Sequence, residues 1–264
     1  MAPSEKTSIQ MFQGDCLELL KLIPDKSIDM IHADLPYGTT QNPRDVRLDL
    51  SRLWPEYERV IKDDGCIALW AQSPYDKILA CSNLRLYRYE WIIEKTKATG
   101  HLNSKKMPMK AHENILIFYK RLPTYNPQCT TGHLPVHNYT KHTSDGKNYG
   151  ETKTGISGGG STWRYPRDVL KFAWDTQTSS YNPTQKPVEA CRYFIETYTN
   201  PGDLVLDNVM GSGSTAIAAF GTGRNFVGME LDEEMYRMAL DRVAMETGEP
   251  IERIIGKEHR KITA

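Results

Sequence analysis

The 264 residues of this 30.1 kDa chain are 39% hydrophobic and 25% charged, and 33 basic side chains balance 33 acidic ones. That composition fits a soluble globular protein of one large domain, or one domain carrying an inserted module, and no apolar stretch approaches the length of a membrane span. The five cysteines (Cys16, Cys66, Cys81, Cys129, Cys191) are scattered with no Cys-x-x-Cys pair, which argues for a reducing compartment and against zinc or a disulfide framework.

The opening Met-Ala-Pro-Ser-Glu-Lys has no apolar core, so a cytoplasmic protein without a secretory leader is expected. Residues 8–12 read as a short strand and 16–22 as a helical turn. The apolar run Ile28-Asp29-Met30-Ile31-His32-Ala33 reads as a buried strand, and Asp34-Leu35-Pro36-Tyr37-Gly38 breaks it abruptly. A carboxylate, a stiffened turn and an aromatic ring then stand together at a strand's carboxyl end, the ligand edge of an open parallel sheet. An acceptor beside a flat ring suits a planar substrate bearing an amino group, although Asp, Pro and Gly also favour plain turns. Residues 48–60 place Leu50, Leu53, Trp54, Tyr57 and Val60 at helical spacing, and Asp63-Asp64-Gly65 is expected to end that helix. Residues 66–71 form another buried strand, and 75–82 a helix. Residues 89–94 and 114–119 are strands too close for a helical crossover, so they are expected to pair antiparallel.

From 122 to 182 the pattern dissolves into Gly, Thr, Ser, Asn and Pro. A structureless loop of that length is unusual inside a domain, which points to an irregular inserted module. Between Lys95 and Arg192 there are fifteen Lys or Arg against six Asp or Glu, with Tyr119, Tyr125, Tyr139, Tyr149, Trp163, Tyr165, Phe172, Trp174 and Tyr181 interleaved. Basic side chains among aromatics suit phosphate contact and base stacking, and a solvated surface insertion is the plainer alternative. His133, His137 and His142 lie in this region without a spaced Cys or carboxylate, so no metal site is expected. Order returns with a helix at 188–198 after Pro187, a strand at 203–207, a helix at 214–220, a strand at 225–230 and a helix at 233–246. Repeated βα units imply a doubly wound α/β sheet. The tail from 246 to 264 is expected to be peripheral.

Asp207-Asn208-Val209-Met210-Gly211-Ser212-Gly213-Ser214-Thr215 follows a strand and opens a helix, and its glycines let a ligand approach the backbone. Dinucleotide, phosphate and adenosyl sites all use such turns. A Walker loop is excluded, because no lysine follows the glycines. Glu230 ends the next strand about 20 residues on, where an acid binds a ribose diol.

Taken together, these pieces resemble the DNA amino-methyltransferases that use S-adenosylmethionine, in their beta-class motif order. The catalytic Asp-Pro-Pro-Tyr-type motif matches Asp34, Leu35, Pro36 and Tyr37, and the cofactor loop matches 207–215, far later. Asn182-Pro183-Thr184-Gln185-Lys186-Pro187 resembles the family's Thr-Gln-Lys-Pro element, Gly14-Asp15-Cys16 its acidic contact to the cofactor adenine, and Ala111-His112-Glu113-Asn114 is also family-like. The resemblance covers most of 8–245, apart from the middle module. It implies a mostly parallel, seven-stranded, Rossmann-like methyltransferase sheet. Its catalytic half is 8–121, its cofactor half 183–245 and its target-recognition insert 122–182. Asp15, Cys16, Lys186, Asp207, Asn208, Gly211, Ser212, Gly213, Ser214, Thr215 and Glu230 would hold S-adenosylmethionine. Leu35 replaces a common proline but keeps its carbonyl. Val209 replaces the usual aromatic against the cofactor adenine, a role Phe226 or another side chain could fill.

The implied reaction is methylation of adenine N6 in a base flipped out of double-stranded DNA. Asp34 and the Leu35 carbonyl would accept the two amine N–H bonds, Tyr37 would stack on the base, and Lys105, Lys106, Lys110, Arg164 and Arg167 would meet phosphates. Cytosine N4 is the nearest alternative, and an Asp rather than Ser at the first position leans towards adenine. A nucleotide-dependent oxidoreductase is the alternative of another class, in which Asp-Leu-Pro-Tyr has no obvious task. The DNA sequence read, a restriction partner and a homodimer are left open.

Overall fold

The computed structural model describes residues 7–39, 45–141, 156–173 and 185–256. They form two compact units, a small one at Pro127–Arg167 and a large one made of the chain on either side of it.

The large unit is built on one sheet. Its strands are β1 (Ile9–Gln13), β2 (Ile28–Ala33), β3 (Ile61–Ala71), β4 (Tyr87–Thr99), β5 (Lys110–Phe118), β8 (Val169–Phe172), β9 (Leu204–Asp207) and β10 (Asn225–Glu230). Their order across the sheet is β1-β10-β9-β2-β3-β5-β4-β8. The neighbours from β1 to β3 run parallel, β5 is antiparallel to both β3 and β4, and β8 is parallel to β4. The expected seven-stranded, doubly wound sheet is therefore present, and β8 extends its edge. Those residues lie within the 122–182 stretch, so part of that stretch belongs to the main sheet.

Period-two alternation in the strands feeds two cores, one on each face. Ile31, Ala33, Ile67, Leu69 and Val227 face one layer together with α1 (Cys16–Leu19), α2 (Leu50–Val60) and α3 (Tyr75–Ser82). Met30, Cys66, Trp70, Val205 and Phe226 face the other, with α4 (Val188–Tyr198), α5 (Ser214–Gly221), α6 (Glu233–Thr247) and α7 (Ile251–Ile254). Among the described residues no helix is long and apolar enough to cross a membrane.

Two local expectations are corrected. Helix α2 stops at Val60, and β3 begins at once with Ile61, so Asp63-Asp64-Gly65 lies inside a strand rather than ending a helix. The register of β3 on β2 shifts between Ile28 and Met30, and this irregularity accommodates the polar residues. The tail is not wholly peripheral. Ile254 is fully buried, Ile255 bridges to Met11, and the Gly256 N–H donates to the Met11 carbonyl at 2.8 Å. Residues 257–264 lie outside the described residues.

In the small unit β6 (Tyr139–Lys141) pairs antiparallel with β7 (Ile156–Gly158), and Thr130 bridges to Arg164.

A Cβ at Gly65 would sit 2.8 Å from the Asp29 carbonyl oxygen and as close to Ile61. We expect Gly65→Ala to destabilise the protein by about 1–3 kcal/mol. This would read as a lower urea midpoint at unchanged slope.

Candidate active site

Strands β2 and β9 are parallel neighbours, with Met30 opposite Val205 and Ile31 opposite Leu206. From β9 the chain proceeds to β10 on one side, and from β2 to β3 on the other. Their carboxyl ends therefore flank a topological switch point, where open α/β sheets bind ligands. Asp34 directly follows β2 and Asp207 ends β9, so the Asp-Leu-Pro-Tyr turn and the glycine loop converge. Their carboxylates are close enough to interact. Burial lifts the Asp207 carboxyl to about 7, bonds from Thr215 and Val209 oppose the rise, and the Asp34 and Glu230 charges add to it.

The Asp34 carboxylate is held at both oxygens. The Tyr37 hydroxyl donates to Oδ1 at 2.6 Å, and the Lys186 ammonium lies 3.0 Å from Oδ2. Burial raises the Asp34 pKa above the usual carboxylate range, Lys186 opposes this and Glu113 adds to it. Leu35 is buried in the core, and Pro36 and Tyr37 are half-buried. The Tyr37 ring stacks on Tyr75, with centroids 5.4 Å apart. The turn is secured from beyond: Asp45 accepts the Gly38 and Thr39 N–H groups at 2.7 and 2.8 Å, and Arg47 Nε donates to the Tyr37 carbonyl at 2.6 Å.

Lys186 departs from the expectation that it serves the cofactor loop. Its ammonium lies between Asp34 and Glu113 and over the ring of Trp70, whose centroid is 5.0 Å away. Its neighbour Gln185 instead touches the loop, accepting from Ser212 Oγ at 3.5 Å. Asn182, Pro183 and Thr184 lie outside the described residues.

The loop's own polar groups mostly turn inward. Asp207 accepts from the Thr215 hydroxyl at 2.7 Å and from the Val209 N–H at 3.2 Å. Asn208 is buried and accepts from the Tyr57 hydroxyl. The buried Arg242 donates to the Ser212 carbonyl, Ser212 Oγ and Ser214 Oγ at 2.9, 3.0 and 3.1 Å. Gly213 caps α5 at φ 81°, and a Cβ there would meet Val243 at 2.7 Å; Gly211, at φ 50°, has open space beside it. Glu230 accepts from the Gly211 N–H at 3.0 Å and the Asp232 N–H at 2.9 Å, so it is attached to the loop. The Gly14 N–H donates to the Glu230 carbonyl at 2.9 Å, which brings Asp15 and Cys16 to the same edge. Asp15 caps α1 through the Leu17 N–H at 2.8 Å, and burial pushes the Cys16 thiol up. Phe226 does not replace the absent aromatic. It is fully buried beneath Gly228, because period two turns position 226 into the core.

The basic candidates divide. Lys105, Lys106 and Arg167 are exposed. The Lys110 ammonium bonds to Gln72 Oε1 and the Ser73 carbonyl at 3.2 and 3.1 Å. Arg164 is spent on carbonyls of its own unit, those of Ser161, Trp163 and Leu134. In this structure Lys110 and Arg164 brace loops. His133 bonds to Thr130 at 2.6 Å, and no group of three metal-ligating side chains occurs among the described residues. His142, Tyr149, Trp174 and Tyr181 lie outside the described residues. Glu113, Lys95, Arg47 and Arg242 were missed as site residues by sequence reasoning. Only Glu113 had left a signal, within Ala111-His112-Glu113-Asn114.

A family model described as DNA methylase matches residues 28–241. The DNA adenine methyltransferase YhdJ of Escherichia coli K12 is 26% identical over 95% of this chain and 88% of its own. The type II methyltransferase M.BamHI of Bacillus amyloliquefaciens is 28% identical over 84% of this chain and 54% of its own. Among solved structures, the M1.HpyAVI–SAM complex superposes with a TM-score of 0.62 at 21% identity, covering 89% of this chain and 98% of that one. The cytosine-N4-specific PvuII DNA methyltransferase gives 0.63 at 15% identity, covering 97% of both.

Asp207 holds a proton in the folded chain at pH values where the unfolded chain has released it. Its contribution is complete below about pH 4 and is lost as pH rises through about 7. We expect Asp207→Asn to lose less stability than the unsubstituted protein between pH 5 and pH 8, by on the order of 1 kcal/mol, in urea titrations without ligand.

Proposed function

The chain belongs to the DNA methylase family, and from that premise we propose that it transfers a methyl group from S-adenosylmethionine to the N6 amine of an adenine flipped out of double-stranded DNA. The observation that carries this reading is the meeting of Asp34 with the Asp207–Thr215 loop at the switch point between β2 and β9. The adenine assignment is supported by Asp at the first motif position and by YhdJ, a DNA adenine methyltransferase that aligns with 95% of the chain.

The loop residues fit an adenosyl cofactor. Gln185 Nε2 is buried without a partner among the described residues, and a Cβ at Gly211 would meet only open space. Asp15, Glu230 and Asp207 supply acceptors for hydroxyl and amino groups, with Cys16, Asn208, Ser212, Gly213, Ser214 and Thr215 shaping the cleft. Bound there, S-adenosylmethionine supplies an electrophilic methyl carbon on sulfur.

The chain's own task is to make a poor nucleophile reactive. An exocyclic amine shares its lone pair with the ring, so acceptors aimed at its two N–H bonds favour a pyramidal nitrogen. The Asp34 carboxylate and the Leu35 carbonyl serve as those acceptors and stabilise the positive charge that develops there. Tyr37, backed by Tyr75, stacks on the base, and the buried Leu35 with Pro36 fixes the turn. Positioning contributes much of the rate. No strong base is needed beforehand, because the amine becomes acidic once methylated. Lys105, Lys106 and Arg167 meet phosphates, and the Pro127–Arg167 unit takes part in target recognition.

Asp34→Ala is expected to reduce methyl transfer by about 100-fold or more while cofactor affinity in calorimetry stays within about threefold. Turnover retained in that variant would remove the assignment. In salt titrations, log affinity for DNA should fall linearly with log salt, and replacing Lys105 and Lys106 together by Ala should flatten the slope by about two. Mass spectrometry of nucleosides from treated DNA tests the base. N6-methyladenine is expected, and N4-methylcytosine would move the reading to the alternative.

A further inference from the structure

A line of alternating charge runs from the mouth of the site into the sheet. Lys95 on β4 lies 2.6 Å from Glu113 on β5, Glu113 lies 2.7 Å from Lys186 before α4, and Lys186 lies 3.0 Å from Asp34. The first three side chains are 8%, 8% and 11% exposed, and Asp34 is 31% exposed. Period two places Glu113 on the same face as Ile115 and Ile117, and the register sets it opposite Ile93, two residues before Lys95. The inward direction of both charges is therefore fixed by the strands, not by flexible loops.

Neutralising Asp34 requires one cation, and Lys186 is that cation. The other two charges need a separate reason, since each buried ion is costly to desolvate. Glu113 supplies one. It draws the Lys186 ammonium closer to itself than to Asp34, and the Trp70 ring gives that ammonium a further fixed contact. Asp34 is thus paired without being fully quenched. Its carboxylate keeps electron density for accepting an N–H bond. Burial disfavours the Glu113 charge, but Lys186 and Lys95 outweigh it and hold that carboxyl below its usual range.

We propose that Glu113 is a positioning residue for methyl transfer, holding the Lys186 ammonium back from full pairing with Asp34 so that the Asp34 carboxylate is a stronger acceptor, with Lys95 balancing the Glu113 charge from the far side. This rests on the methyltransferase reading. The other groups that bear on Asp34 are the Tyr37 hydroxyl from its own turn and Asp207 from β9, with Tyr75 of α3 and Arg47 beyond.

The chain of charges predicts an alternation of sign. Removing Lys186 (Lys186→Met) moves the Asp34 titration to higher pH, Glu113→Gln moves it lower, and Lys95→Met moves it higher again. Carbon-13 carboxyl NMR on aspartate-labelled protein reads this directly, with Asp34 assigned by its loss in Asp34→Asn. The acid limb of kcat should follow the same order. Glu113→Gln should lower kcat about tenfold with KM for DNA nearly unchanged, and Glu113→Asp should restore part of the loss. An Asp34 titration that stays still, or moves the same way in all three variants, overturns the proposal. Should Glu113→Gln fail to fold by its thermal transition, the Lys95→Met titration decides. Failure of the unsubstituted protein to methylate DNA would sink the functional reading instead, and the NMR titration would still settle whether the charges are coupled.

Discussion

The parallel pairing of β2 with β9 is the constraint on which the candidate site depends. Met30 opposite Val205 and Ile31 opposite Leu206 fix that register between two strands remote in sequence, and every residue of this contact is fully buried. Because a slip by one residue would exchange core and opposite face, the register is tightly specified. The chain then leaves the pair in opposite directions: α2 covers one face after β2, and α5 the other after β9. Asp34 and Asp207 therefore emerge side by side at the switch point. Chemistry from two distant motifs is combined by a few backbone hydrogen bonds.

Burial at this edge is unfavourable for carboxylates, and the site handles two of them in opposite ways. Glu113 is flanked by the ammonium groups of Lys95 and Lys186, and its carboxyl sits below the usual range. Asp207 has only dipoles, a hydroxyl and an N–H, and it is pushed up to about 7. Burial acts upward on both, so the difference comes from the neighbours. Asp34 lies between these cases, with one cation, one hydroxyl and two carboxylates near it. Its charge state is therefore a property of the cluster rather than of the turn that carries it.

Much of the fold was legible because its strands are apolar runs bounded by turn residues, and its helices carry regular stripes. Helices α3 and α4 fall on 75–82 and 188–198 as read, and the β4–β5 pair is antiparallel for the reason given by its short connection. The reading failed at Asp63-Asp64-Gly65, where a strand with a register shift tolerates residues that locally signal a stop. It failed again at 251–256, where four helical residues and a single bridge seat the tail on β1, contacts too few to leave a pattern. The turn and the glycine loop were visible because each is a local motif. Lys95 and Arg242 were not, and Glu113 showed only as part of a family-like tetrapeptide without a role, because a charge inside a strand or helix looks solvated until the partner element is known. The separate roles of Gln185 and Lys186 were hidden for a similar reason: adjacent residues point to different loops, and sequence gives no direction.

The departure at position 209 bears on how a cofactor would be gripped. Without an aromatic at Val209, and with Phe226 committed to the core, neither position supplies a stacking ring. The polar framework around the loop is correspondingly dense. Glu230 attaches to Gly211, Gly14 to Glu230, and Arg242 holds Ser212 and Ser214 by three bonds. A loop fixed in this way loses little freedom when a ligand arrives, and affinity that stacking does not provide can come from preorganisation instead. Arg242 matters here although it faces no ligand. Its buried guanidinium, reaching from α6, ties the start of α5 to the next helix, so the geometry of the glycine turn is set by helix packing as well as by the glycines.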